Sequence, residues 1–406
     1  MSHAGKAYAA GLIRAREAHP AGVIHAAKTH PAGVTRQKSR EVVILGCGDV
    51  GPLEEPLERY AELVRPVLAT ADIRFAQVER VYSERGSLQL HSGGAHSRLK
   101  PHMAQIFSDA GFNVVSLASN HAMDWGPHAM LDTIDVLRQR GIKVVGAGRN
   151  IAEARTPGVI EINGVRVAFL AYCSILNDGY WAGPSRPGVA PLRVHTYYET
   201  FEYQPGIPPK VVTVPYEEDM VALLDDIRTA KQMADVVVLS LHWGLHFIPR
   251  MIADYQPTVA EAAFDAGADL ILGHHAHVPK AIGVHRGKVC FYSLSNFIMS
   301  SVPKSRDKTE VFCKRYGVTL DPDYPRLAYG TDAKRSLIAK ARVSTAGVQE
   351  VSFFPVLIDR QLRPEVLGRS DPRFEESLRY LDWASEGFDH RFTIKGDEVV
   401  VTASAK

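Results

Sequence analysis

The stretch SLASNHAMDWG, residues 116–126, follows directly on an apolar run, Phe112-Asn113-Val114-Val115. A short apolar run of this kind predicts a strand buried on both faces. It stops at an amide, an imidazole and, a few residues on, a carboxylate: Asn120, His121 and Asp124. Two readings compete. Asn and Asp favour turns, because their side chains bond nearby backbone. The other reading is a site, because in an open α/β sheet the groups just past the carboxyl end of a strand face the crevice where ligands bind. The ends of the other strands decide between them.

Those strands are EVVILG (41–46), DIRFAQV (72–78), IKVV (142–145), VRVAFLAY (165–172), DVVVLSL (235–241), DLILG (269–273) and KVCFYSL (288–294). Helical patterns lie between them at 55–70, 99–110, 127–140, 217–233 and 255–266, which predicts an α/β fold of layered sheet and helices. The tail, 335–402, returns to strand patterns around a helix near 373–385. EVVILG leads to Asp49, DIRFAQV to Glu79, DVVVLSL to His242, and DLILG to His274-His275-Ala276-His277. With Asn120-His121, several strand ends therefore carry a carboxylate, an amide or an imidazole, and the fold aims them at one crevice. Agreement among strand ends favours the site over the plain turn. A set of carboxylate, amide and imidazole donors suits Zn, Mn, Fe or Ni and not a thiolate-dominated site.

The totals narrow the class. A chain of 406 residues, 46% hydrophobic and 23% charged, is globular. A formal charge of +2 with no basic stripe gives no support for nucleic acid as a partner. Four cysteines without a CxxC pair read as buried small hydrophobes in a reducing compartment. No run of about 18 apolar residues predicts a membrane span, and MSHAGKAYAAGLIRAREAHPAGV has no secretory apolar core. The expectation is a cytoplasmic protein. Residues 1–40, in which His-Pro-Ala-Gly-Val occurs at 19–23 and again at 30–34, read as a partly helical extension that covers a neighbouring subunit in a homodimer. Residues 41–402 read as a single catalytic domain with insertions at about 174–216 and 300–330. The first insertion, rich in Pro, Gly and aromatic residues, reads as a lid or substrate wall.

GCGDV (46–50), QVE (77–79), SLASNHAMDWG, SLHWG (240–244), LGHHAHV (272–278) and YSLSNF (292–297) together resemble the CapA family. These are poly-γ-glutamate capsule synthesis proteins, a branch of the calcineurin-like metallophosphoesterases. The resemblance implies a four-layer α/β/β/α metallophosphoesterase-like sandwich holding one or two divalent transition metals, Zn or Mn first, with Fe or Ni as further candidates. It implies metal ligation by Asp49, Glu79, Asn120, His242, His275 and His277, with Glu79 bridging two metals. It makes His121 the catalytic imidazole and Asp124 the group that orients it. Two departures stand out. The superfamily begins with Asp-x-His, whereas Asp49 is followed by Val50-Gly51, so one metal position lacks an imidazole. The family's usual Asn-Leu-Glu is here Gln77-Val78-Glu79, which lengthens the arm of the amide.

On the substrate side the candidates are Gln77, Trp181, Arg186, Trp243, His246 and Asn296. Arg186 and Arg193 could grip a carboxylate. His246 reads as a ligand, a substrate contact or a packed neighbour, and His274 as the outward-facing neighbour of His275, because adjacent residues of an extended chain point opposite ways. A bound divalent cation lowers the pKa of water and polarises a substrate oxygen. An imidazole beside it can protonate a leaving group, with a carboxylate fixing its tautomer. The expected function is a metal-dependent hydrolase, with His121 as general acid, acting on an amide or ester of a small or polymeric carboxylic acid. Two alternatives stay open. One is a non-hydrolytic participant in poly-γ-glutamate capsule synthesis or export. The other is a phosphoesterase, against which the missing imidazole counts.

Overall fold

The apolar runs form strands because each acquires a sheet neighbour and a packed layer on either face. The structure is a computed structural model and describes residues 41–92, 97–302 and 305–404. The expected N-terminal extension and its inter-subunit role lie outside the described residues. The first sheet contains β1 (Val42–Gly51), β2 (Ile73–Val78), β3 (Val114–Ser116) and β4 (Lys143–Val145). The second contains β5 (Gly158–Ile162), β6 (Val165–Cys173), β7 (Val236–His242), β8 (Leu270–His274), β9 (Ile282–His285) and β10 (Lys288–Phe291). The chain then returns to the first sheet with β11 (Asn296–Met299), β12 (Arg335–Ser344), β13 (Gly347–Ile358), β14 (Pro364–Val366), β15 (Arg391–Lys395) and β16 (Glu398–Thr402). The first sheet runs β15-β16-β13-β12-β1-β2-β3-β4, with β11 on β1 and β14 on β13; the second runs β9-β10-β8-β7-β6-β5. β1, β2, β3 and β4 are mutually parallel, as are β6, β7, β8 and β10. The carboxyl ends of β1, β2, β3, β7 and β8 carry the polar groups singled out above.

The two sheets pack face to face. Alternate residues of the second sheet, Phe169, Val238 and Leu272, join the core shared with the first sheet. Their neighbours Leu170, Val237, Leu239 and Ile271 face the other way, as strand alternation requires. That outer face is covered by α2 (Glu217–Met233) and α3 (Tyr255–Ala266), which contribute Leu223, Ile227, Val259 and Phe264. On the first sheet, α1 (Gly126–Arg138) buries Met130, Ile134 and Leu137 in the same core as Val114 and Val145. The result is the expected α/β/β/α layering. Between the sheets, Phe75 and Phe169 stack with centroids 5.8 Å apart. A Cβ at Gly46 would lie 2.7 Å from Leu272 Cδ1, so glycine is what lets β1 approach the second sheet.

Two expected helices are shorter than their patterns. Over 55–70 only Arg65–Leu68 is α-helical. Pro66 lacks the N–H that an upstream turn would need and its ring would clash there, so the helix starts at Arg65 with the proline in its first turn. Over 99–110 a 3₁₀ turn, Pro101–Ala104, precedes a short helix, Gln105–Asp109. The first insertion holds an exposed hairpin, Val194–Glu199 with Lys210–Pro215. The second holds a helix, α4 (Arg306–Tyr316), with none of its residues buried. A further helix, α5 (Pro372–Ser385), packs beside β9 and β13. The described residues belong to one compact unit. No helix among them is long and apolar enough to cross a membrane.

Candidate metal centre

Asp49 lies opposite Gln77 of β2 and Asn296 of β11, and the register of β1 shifts beside it on both flanks. Such irregularities re-aim a side chain. Glu79 follows β2, with its backbone N–H bonded to Val50 O at 3.1 Å. His242 ends β7 directly opposite His274, which ends β8. Past His274 the backbone turns left-handed, with φ of 90° at His275 and 55° at His277; Phe247 and Ser295 are left-handed too, at 60° and 67°. Non-glycine residues seldom adopt this region, and such strain gathers at functional sites.

Asp49, Glu79 and His242 are buried and offer ligand atoms within 4.8 Å of one another. His277 Nε2 lies 3.6 Å from Glu79 Oε1, and His242 Nε2 lies 3.7 Å from Glu79 Oε2. His274 Nδ1 lies 3.6 Å from Asp49 Oδ1. These separations exceed a hydrogen bond. They match the spacing of two donors on one cation: bonds of about 2.0–2.2 Å at a tetrahedral angle set N and O about 3.4 Å apart. Both Asp49 oxygens, Glu79 Oε1, His242 Nδ1, His275 Nδ1 and both His274 nitrogens are buried without a hydrogen-bond partner. Orphaned polar atoms are costly and scarce in folded proteins, and here they gather at one place.

The electrostatics agree. Burial, and then the neighbouring Asp49, push the Glu79 carboxyl well above the usual carboxylate range. Burial, reinforced by neighbouring imidazoles, drives His242 and His275 well below the usual histidine range. Burial also lowers His277, against the pull of Asp49. A divalent cation needs neutral imidazoles and ionised carboxylates, so it suits the former as they stand and restores the charge of the latter. The residues fit a divalent transition metal.

Supporting contacts fix the donors. Asn296 Nδ2 donates to His277 O and Ala333 O, both at 3.0 Å. Its Oδ1 therefore faces His277 Nδ1, at 2.7 Å, and accepts that proton. This leaves the Nε2 lone pair on the Glu79 side. Asn120 Oδ1 lies 2.7 Å from His242 Nε2. His121 Nδ1 pairs with Asp124 Oδ2 at 2.7 Å, and the Tyr180 hydroxyl donates to Asp124 Oδ1 at 3.4 Å. The His121 ring keeps 20% of its side-chain surface exposed, while the groups around it are closed off. It borders a cavity of about 790 Å³, also lined by Arg80, His246, His277, Tyr329 and the Lys308, Phe312 and Arg315 side chains of α4. His246 packs on His275 with centroids 3.8 Å apart.

Several expected substrate residues fall elsewhere. Trp181 and Arg186 line a different cavity with Arg155 and Asp219, because the first insertion folds against the start of α2. Arg193 is held there by a two-pronged pair with Asp219 at 2.7 and 2.8 Å. Trp243 follows His242 and so points to the opposite face, where it stacks on Tyr292 and donates to Tyr292 O at 3.0 Å. Gln77 is fully buried, with its amide bonded to Val78 O and Ala118 O. The wall beside His121 comes from the second insertion and not the first. His274 does not face outward: it packs on Phe75 and points at Asp49. Three further residues, not expected from the sequence, join the cluster. Ser119 Oγ donates to Glu79 Oε2 at 3.1 Å, Tyr329 stacks on His277, and the buried Arg80 donates to Gly51 O and Ser300 O. Ser119 sits inside the opening stretch, so its place in the sequence was a usable signal.

Residues 14–301 match the sequence model of a bacterial capsule synthesis protein family, PGA_cap. The chain belongs to that family. The matched region includes every strand end that carries a donor and stops short of α4 and Tyr329. Among similar PGA_cap-related proteins are the PGA biosynthesis protein CapA of Bacillus subtilis (strain 168), 29% identical over 238 residues, 58% of this chain and 56% of that one. The capsule biosynthesis protein CapA of Bacillus anthracis is 30% identical over 241 residues, 58% of this chain and 52% of the other. The chain thus spans about half the length of these two curated relatives. The uncharacterized protein y4sH of Sinorhizobium fredii (strain NBRC 101917 / NGR234) is 25% identical and aligns over 83% of this chain and 87% of its own. Among solved structures, the calcineurin-like phosphoesterase YfkN of Bacillus subtilis aligns with 86% of this chain and 97% of that one, at 11% identity and a TM-score of 0.39.

Proposed function

We propose that this PGA_cap family member is a metal-dependent hydrolase acting on an amide or ester of a small or polymeric carboxylic acid. One observation carries the reading: orphaned carboxylate and imidazole atoms from both sheets converge beside a partly exposed imidazole that a carboxylate holds in place. A divalent cation, Zn or Mn first, supplies a lowered water pKa and a polarised substrate oxygen. Asp49, Glu79, Asn120, His242, His275 and His277 are the residues proposed to hold it. Asp124 accepts a hydrogen bond from His121 Nδ1–H, so Nε2 faces the cavity and the imidazolium delivers its Nε2 proton to the leaving group as general acid. Arg315 and Lys308 border the same cavity and present positive charge to a carboxylate-bearing substrate. His246 and Asn296 sit at the cavity and behind His277, respectively, as a wall and a support.

The printed names of the Bacillus relatives favour a second reading, non-hydrolytic participation in capsule polymer synthesis. The cytoplasmic location and the homodimer expected from the sequence belong to the first proposal; cell fractionation and light scattering test them. The deciding experiment pairs elemental mass spectrometry of protein purified without chelator with hydrolysis assays on γ-glutamyl amides, carboxylate esters and phosphoesters. The expected outcome is at least about one metal per chain, lost in Asp49→Ala, with turnover of an amide or ester that His121→Ala abolishes. Metal without turnover on any class supports the non-hydrolytic reading, and turnover confined to phosphoesters makes it a phosphoesterase.

A further inference from the structure

His274 has no place in the ligand set proposed above, yet its surroundings single it out. The ring is fully buried, and neither nitrogen has a hydrogen-bond partner. A neutral imidazole carries one donor and one acceptor, so this burial leaves both unanswered. Nδ1 faces Asp49 Oδ1 across 3.6 Å, too far for a hydrogen bond and close to the roughly 3.4 Å between two donors on one cation. The same Asp49 oxygen is itself an orphan. The ring is flanked by Phe75, tilted 37° to it with centroids 5.8 Å apart, and its backbone is fixed by the pairing of β8 with β7.

Position 51, two residues after Asp49, is a glycine and supplies no donor. Nor is there room there for a side chain: a Cβ would lie 2.9 Å from Arg80 Nε and 3.0 Å from Arg80 Cγ. The guanidinium that occupies this volume donates to Gly51 O and Ser300 O, and so is tied in place. An imidazole for the Asp49 side of the centre must therefore come from another strand, and β8 brings one.

We propose that His274 is a metal ligand, supplying to the Asp49 position the imidazole that β1 does not provide. The inference rests on the metal-dependent reading above and adds a donor to it. The test uses Co²⁺ alone as the probe, followed by calorimetry and by its ligand-field absorption, in wild type, His274→Phe and His274→Gln. Phe keeps a ring against Phe75, and Gln keeps a polar group of lower bulk; circular dichroism checks that each folds. Loss of a direct ligand should weaken Co²⁺ at one position by at least the 10- to 100-fold typical of losing a supporting group, and should change the absorption. Phe75→Leu loosens the packing of the same ring without removing a nitrogen, and should titrate as wild type. The proposal is overturned if either His274 variant matches wild type in affinity and spectrum, or if Phe75→Leu weakens binding as much as they do. Wild type that takes up no Co²⁺ overturns the metal-dependent function itself, a result separable from the other two.

Discussion

At the scale of single residues, the sequence exposes donors wherever strand geometry persists and hides them where it breaks. Asp49, Glu79, His121 and His242 were legible because a polar group after an apolar run is conspicuous. His274 was not, because the alternation that assigned it outward holds only for extended backbone, and the chain leaves that state at His275. Trp243 obeys the same rule: as the neighbour of an inward His242 it faces the helices and not the cavity. Arg80 and Tyr329 meet at His277 from segments far apart in the chain, and no local pattern joins them. The His121–Asp124 pair yields a direct prediction. Asp124→Asn keeps the size of the side chain but cannot accept the Nδ1 proton in the same way, so kcat should fall within the roughly 10²- to 10⁴-fold attributed to general acid catalysis, while metal content stays at the wild-type level. Parallel steady-state kinetics and elemental analysis check it; a loss of metal would make Asp124 part of the binding set. Asn296→Leu removes the acceptor that fixes the His277 tautomer and should cost about 10- to 100-fold in metal affinity.

At the scale of elements, the long helices and the apolar central strands match their sequence patterns to within a few residues, since their periodicity is a property of the local chain, whereas β5, β9 and β11 carry no such run and were not expected. The pattern at 55–70 fails because Pro66 overrides a helical period, and α4 is not signalled because its apolar face is short, with Phe312 and Tyr316 on Phe247 and no residue fully buried. The segment that joins β8 to β9 carries a pH-dependent contribution. Lys280 is almost fully buried, and its Nζ donates to Ile248 O and Met251 O, which ties the Phe247 loop to the second sheet. Burial lowers its pKa from 10.5 to about 7. Between those values the unfolded chain binds a proton that the native chain does not, so stability rises with pH across the window. Below about pH 7 both states are protonated and the cost of burying the charge is felt in full. Lys280→Met should abolish the rise: the Tm of wild type measured from pH 7 to 10 climbs relative to the variant, and two parallel curves would disprove the assignment.

At the scale of the whole molecule, the site is divided between the two sheets. Of the proposed residues, Asp49, Glu79, Asn120 and His121 come from the first sheet, and His242, His274, His275 and His277 from the second. No single motif sets the distance between these halves; the packing of the sheet faces does. That packing is close beside the site, where Gly46, three residues before Asp49, meets Leu272, two before His274. Gly46→Val therefore tests whether sheet spacing governs the centre. The added carbons overpack a filled interface, at a cost of about 1–3 kcal/mol, and the strain is relieved by separation of the strand ends that carry the donors. Leu381→Ala, in α5, which packs beside β9 and β13, should cost as much or more, about 2–5 kcal/mol, through a cavity. Calorimetric titration with Co²⁺, well below both melting temperatures, separates the two effects. Gly46→Val should bind the ion more weakly than wild type, whereas Leu381→Ala, although less stable, should bind it as wild type does. Equal affinities in all three proteins would mean that each half of the centre adjusts independently, and that the ligands are positioned by their own turns and not by the meeting of the sheets.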